Sequence, residues 1–287
     1  MKPAPFDYVR PRDLADLFDT LADGDVLLAG GQSLVPRLNE RQRRPRRLID
    51  INEIAELRRI DVGPDTVVLG ALTRHQALVD NPELRAALPL LSCAAAHVGH
   101  AAVRTRGTLG GSLANADPAA ELPGVCALLG ATVALRSPEA ARVVGVVELA
   151  RSGGPADREV IAAVEVPRPA TPQAWGFREI SRHGGYAFPL VTVAATLSVA
   201  VEGTVAAVRA VVTGAAPVAY VVDVPADGLL GGKPTHDWYE SIADRLVAGA
   251  DPVDDLYASA AYRRRLIRHL THQVLADAIG RVEAVAA

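Results

Sequence analysis

Residues 104–121 read Arg104-Thr105-Arg106-Gly107-Thr108-Leu109-Gly110-Gly111-Ser112-Leu113-Ala114-Asn115-Ala116-Asp117-Pro118-Ala119-Ala120-Glu121. Three glycines stand beside the small hydroxyl residues Thr108 and Ser112, with Asn115, Asp117 and Glu121 behind them. Glycine admits backbone conformations closed to other residues and lets a ligand approach the main chain. Hydroxyls and exposed N–H groups hydrogen-bond phosphate oxygens without adding a full charge. The stretch therefore reads as a loop that cradles a phosphate-bearing cofactor, the rival reading being a plain tight turn. Upstream, the apolar run Val26-Leu27-Leu28-Ala29 reads as a buried strand and leads into Gly30-Gly31-Gln32-Ser33-Leu34. Two such loops can converge on one long cofactor and offer its diphosphate N–H groups from both sides.

Composition narrows the field. The 287 residues suit one large or two modest domains, and 49% hydrophobic content supplies a core. A net charge of −3 gives no general attraction to nucleic acid or anionic membrane, and 4% aromatic residues make no stacking platform for single strands. The five arginines at 41, 43, 44, 46 and 47 carry no interleaved aromatic residue and read as a solvated loop or subunit contact. Cys93 and Cys126 are too few for an iron–sulfur cluster within this chain. They read as reduced thiols packed as small hydrophobes. The N-terminus has no apolar signal region, and the longest apolar stretch, 191–201, is too short to span a bilayer. A cytoplasmic protein without membrane insertion is expected.

Periodicity gives the remaining elements. Leu14, Leu17, Phe18 and Leu21 mark a helix after Pro11, and 48–51 a short strand. Gly63-Pro64-Asp65 turns a hairpin between strands 60–62 and 66–70. Thr73 is expected to cap a helix over 74–80, followed by one long helix over 84–99 and another over 118–129. Strands are expected at 132–136, 142–147 and 160–166. The prolines at 167, 169 and 172 then mark a linker. Past it, strands at 175–181, 190–201, 205–212 and 219–222 precede helices at 238–248 and 259–284. The fold expected is α+β.

Several chemistries lack their motifs. There is no P-loop and no Gly-x-Gly-x-x-Gly fingerprint. Ser33 and Ser112 lack the second flanking glycine of a nucleophile elbow. His97 and His100 offer at most half a metal site. Asp117 and Glu121 can act as an acid–base pair, or bond backbone amides or a sugar hydroxyl.

On these residues the chain resembles the FAD-binding medium subunit of molybdenum hydroxylases, of the carbon monoxide dehydrogenase and xanthine dehydrogenase type. The resemblance rests on 29–36 with Leu48-Ile49-Asp50-Ile51 behind it, on 104–121, on Phe177-Arg178-Glu179-Ile180-Ser181-Arg182, and on the tail from Ser259 to Arg264. It implies a PCMH-type FAD-binding domain over 1–168, in two parts (about 1–55 and 56–168), and a smaller sheet-plus-helix domain over 173–287. It implies FAD contacts from Leu27, Leu28, Ala29, Gly30, Gly31, Gln32, Ser33 and Leu34, and from Thr108, Leu109, Gly110, Gly111 and Ser112. Asn115, Asp117, Glu121, Ile161 and Arg178 complete the implied set, Arg178 standing where the family often has lysine near the flavin. The family's acidic residue before an aromatic is replaced, since Gly184-Gly185 precede Tyr186. No catalytic side chain and no metal are implied. The implied role is electron transfer from a small subunit with [2Fe-2S] clusters, itself served by a large molybdopterin subunit, to an external acceptor. A dimer of heterotrimers is the implied assembly. A stand-alone FAD-dependent oxidoreductase and a flavin-free scaffold are the alternatives.

Overall fold

The computed structural model describes residues 2–169, 173–182, 187–199, 205–224 and 235–286. Part of the expected proline linker, 170–172, and the Gly184-Gly185-Tyr186 segment lie outside the described residues.

The chain opens with a small parallel sheet. Strand β1 (Asp7–Val9) and strand β2 (Val26–Leu28) flank strand β3 (Arg47–Asp50). Between them, helix α1 (Leu14–Thr20) starts where the Asp13 carboxylate accepts from the Asp16 N–H at 2.8 Å. Such a cap satisfies one of the donors a helix start leaves unpaired. Leu14, Leu17 and Leu21 then fall on one face and bury against Ile49, Ile51 and Ile54. Strand β2 is half-buried, not buried as expected, because it is an edge strand beside an open cavity. Helix α2 (Leu34–Asn39) follows after residues 29–33.

A five-stranded sheet comes next, in the order β4-β5-β8-β6-β7. Its strands are β4 (Ile60–Val62), β5 (Thr66–Gly70), β6 (Thr132–Arg136), β7 (Ala141–Gly145) and β8 (Val160–Pro167), all paired antiparallel. Helices α3 (His75–Asp80), α4 (Pro82–Ala87), α5 (Pro89–His97), α6 (Ala101–Arg104), α7 (Leu109–Asn115) and α8 (Glu121–Leu128) run between β5 and β6. The single helix expected over 84–99 is two. Pro89 disfavours helical geometry at the residue before it, and Leu88 sits at φ −134°, ψ 61°. Thr73 does not cap α3. The cap position is Arg74, and the Thr73 hydroxyl is buried without a partner. His97 ends α5 while His100 stands at the N-cap position of α6, so the two do not share a helix. Helix α9 (Val146–Arg151), absent from the sequence reading, follows β7 directly and buries Val146 and Leu149.

The last third is an antiparallel sheet in the order β12-β11-β10-β9: β9 (Gln173–Ser181), β10 (Pro189–Val199), β11 (Val205–Thr213) and β12 (Tyr220–Val224). Helices α10 (His236–Gly249) and α11 (Ala260–Ala286) cover one face. Strand alternation divides β10 between two cores. Val191, Val193, Ala195 and Leu197 pack under the helices, whereas Ala194 joins Phe177 and Val211 in the core of the preceding domain. Both faces are covered, which is why β10 reads as a nearly unbroken run of small and β-branched residues.

Candidate cofactor site

The two glycine segments meet. A Cβ on Gly30 would lie inside van der Waals contact of the Arg106 carbonyl oxygen and 2.8 Å from Gly107 Cα. Only glycine permits that approach of two backbones. Gly31 takes φ +73°, the left-handed region, and turns the chain from β2 into α2. Among the described residues, none accepts a hydrogen bond from the N–H groups of Gly31, Gln32 or Ser33. Consecutive unclaimed N–H groups around such a turn form an anion-binding concavity.

The second segment is tied to residues 71–75. The N–H groups of Gly110, Leu109 and His75 donate to the carbonyls of Ala71, Thr73 and Gly107 at 2.9, 2.9 and 3.1 Å. It is not a loop throughout. Thr108 caps α7, its hydroxyl accepting from Gly111 N at 3.1 Å, and 109–115 are helical. Leu109 and Leu113, one turn apart, face the core, so Gly111, Ser112 and Asn115 are left on the open side. A polar bridge joins the two segments. The Arg74 guanidinium donates to the Arg106 carbonyl and, at 2.7 Å, to Asn52 Oδ1. Asn52 Nδ2 in turn donates to the Ala29 carbonyl at 2.8 Å.

Between them lies a cavity of about 760 Å³. That is within the range of cofactor sites. Leu27, Ala29, Gly30, Gly31, Gln32, Ser33, Leu34, Thr108, Gly110, Gly111, Ser112, Asn115, Asp117, Glu121 and Ile161 line it. Three expected residues do not. Leu28 is half-buried on β2 outside the lining, and Leu109 is wholly buried. Arg178 is half-exposed on β9, where its guanidinium pairs with Asp277 at 2.7 Å. Asp117 Oδ1 accepts from Ala119 N at 2.9 Å, which favours the backbone-bonding reading of that carboxylate.

The cavity also holds residues that sequence reasoning passed over. Arg37, Arg43 and Arg182 also line its wall, and the Arg182 guanidinium stacks over the Tyr257 ring at 3.6 Å. Arg43 belongs to the basic run expected to be a solvated loop or subunit contact, and Arg47 of that run pairs with Asp25. His75 is buried, its Nε2 3.1 Å from Ser112 Oγ, and its Nδ1 has no partner. Burial takes this imidazole down to about 4, so it is neutral near pH 7. Burial pushes the Glu121 carboxyl up to about 7, and the nearby Glu179 charge adds to the shift. Cys126 is wholly buried and its thiol is pushed up to about 12, as expected of a packed, unreactive cysteine.

The family described as FAD binding domain in molybdopterin dehydrogenase matches residues 4–169. The chain belongs to that flavoprotein family. A second family, the CO dehydrogenase flavoprotein C-terminal domain, matches residues 175–278. The 6-hydroxypseudooxynicotine dehydrogenase complex subunit alpha of Paenarthrobacter nicotinovorans is 38% identical, over 98% of this chain and 97% of its own. The carbon monoxide dehydrogenase medium chain of Hydrogenophaga pseudoflava is 31% identical, over 96% of this chain and 97% of its own. The quinoline 2-oxidoreductase structure from Pseudomonas putida 86 superposes with a TM-score of 0.91 at 32% identity, covering 98% of this chain and 99% of that one. This medium subunit is thus an FAD-binding component of an oxidoreductase, with an FAD-binding domain followed by a C-terminal domain. No helix among its described residues is long and apolar enough to cross a membrane.

Proposed function

We propose that this medium subunit takes electrons from the iron–sulfur clusters of a small partner subunit and passes them to an external acceptor. A large molybdopterin subunit would oxidise the substrate. The three would assemble in the cytoplasm as a dimer of heterotrimers. In this reading residues 1–168 form the cofactor domain, in parts of about 1–55 and 56–168, and 173–287 the C-terminal domain.

The observation that carries the proposal is the cavity walled on both sides by glycine segments held in backbone contact. Its donor set fits the cofactor. The unclaimed N–H groups of Gly31, Gln32 and Ser33 and the guanidinium groups of Arg37 and Arg43 suit a diphosphate. The Ser112 hydroxyl is oriented by neutral His75, and Thr108, Gly110, Gly111 and Asn115 complete the opposite wall. Asp117, Glu121 and Ile161 line the remaining wall. Arg178 is left out of the proposed contacts because Asp277 claims it. Bound FAD exchanges electrons with one- and two-electron carriers, and the chain supplies position and electrostatics. No side chain acts as a nucleophile or general base.

Purification of the native complex tests the proposal. One FAD per copy of this chain is expected, with partner subunits that carry molybdenum and iron. Removing the flavin should leave substrate-dependent reduction of the iron–sulfur clusters intact while abolishing transfer to the acceptor. Substrate oxidation by this subunit alone, without partners, would sink the electron-transfer reading.

A further inference from the structure

We propose that the C-terminal domain holds a divalent transition-metal site, for Zn²⁺ in the first instance, formed by His236 and Glu240 of α10 and His272 of α11. The site lies apart from the flavin cavity, since none of the three residues lines it.

Local structure brings the donors together. His236 and Glu240 are four residues apart on α10, one turn, and so share a face. His272 comes from α11, which packs with α10 over the same side of the sheet. One ligand atom from each residue lies within 4.8 Å of the other two. The imidazoles of His236 and His272 have centroids 5.7 Å apart. Tyr239 stacks on the His272 ring at 5.3 Å and 23°, which fixes the plane in which its nitrogens point.

Glu240 faces His272 across the cluster. Its Oε1 lies 2.9 Å from His272 Nε2, yet that nitrogen is buried and makes no hydrogen bond. Two ligands of one tetrahedral Zn²⁺, each at about 2.0–2.2 Å from the metal, stand about 3.4 Å apart, so this pair would open by about half an ångström around the ion. The other carboxylate oxygen accepts from Arg268 Nη1 at 2.8 Å, and Arg268 also pairs with Asp244. Arg268 therefore orients Glu240 as outer hydrogen-bond partners orient metal-ligating carboxylates. Two imidazoles and a carboxylate suit zinc, and water can fill a fourth position. Zinc has no redox chemistry, so the site would tie α10 to α11 and stand outside the electron path.

The full-length flavoprotein, in its complex where one is isolated, is stripped with a chelator and titrated with ZnCl₂ against a chromogenic competitor. One equivalent per chain is expected, with a melting midpoint that rises with zinc concentration. His236→Ala and His272→Ala should each weaken uptake at least tenfold. His269→Ala, an exposed histidine of the same helix outside the cluster, should not. His236 is exposed, so its removal spares the fold, and an unchanged melt in chelator verifies this. Absence of saturable uptake, or wild-type affinity in either His236→Ala or His272→Ala, overturns the site and leaves only an ion pair between His272 and Glu240. Flavin content is read separately and bears only on the proposed function.

Discussion

Burial raises the Glu121 carboxyl from 4.5 to about 7 and lowers the His75 imidazole from 6.5 to about 4. Both groups line the same cavity, and their effects on stability have opposite signs. Between pH 4.5 and 7 the folded chain holds a proton on Glu121 that the unfolded chain releases, so this contribution is present at low pH and lost as pH rises. Between pH 4 and 6.5 the unfolded chain protonates His75 while the folded chain does not, so that group costs stability as pH falls. In the flavin-free protein, Glu121→Gln should remove only the first effect. Relative to wild type, the variant should gain up to about 3 kcal/mol between pH 5 and pH 8. Urea unfolding at the two pH values measures this. A difference between variant and wild type that does not change with pH would show that Glu121 titrates normally.

At the scale of elements, the cavity exists because two backbone segments touch without side chains between them. Gly30 abuts the Arg106 carbonyl, and the bridge from Arg74 through Asn52 to Ala29 holds the segments in register. In Gly30→Ala the new methyl must push apart two main chains, neither of which can rotate away. Overpacking of this kind costs about 1–3 kcal/mol, and FAD affinity should fall about tenfold or more. Fluorescence titration of the flavin-free protein reads the change, and an unaltered affinity would refute the apposition. Each glycine segment was legible in the sequence because its chemistry is local. Their convergence on one cofactor was legible too, but the bridge that holds it was not, because Asn52 and Arg74 carry no motif. His75 left no signal either, as a single histidine after Thr73-Arg74 fixes neither burial nor a partner. Other misses had signals. Pro89 marks the break between α4 and α5, and the spacing of Val146 and Leu149 marks the buried face of α9. Arg178 was placed by resemblance, and only the fold reveals that Asp277, 99 residues away, claims its guanidinium.

Across the whole molecule, one sheet serves two cores. The helix side of β9 is pinned by Gly176, where a Cβ would stand 2.8 Å from the Val274 carbonyl carbon of α11. The next residue, Phe177, projects the other way, is buried in the core of the FAD-binding domain, and lies 4.8 Å from the His97 ring. Gly124 of α8 adds a second close approach, against the Thr213 side chain of β11. From the same side of the junction, Arg182 and Phe188 reach the wall of the cavity between the glycine segments. The boundary between the two matched families thus runs through shared apolar packing, and the two parts should unfold together. Phe177→Ala removes the aromatic that spans the junction. Loss of a buried phenylalanine costs about 3–5 kcal/mol, and here the loss falls on coupling between domains as well as on either core. Calorimetry of the flavin-free wild type should give one cooperative transition, and Phe177→Ala should melt earlier and split into two. A single transition at the wild-type temperature in the variant would show that the domains are held together elsewhere, with α8 against β11 the next contact to break.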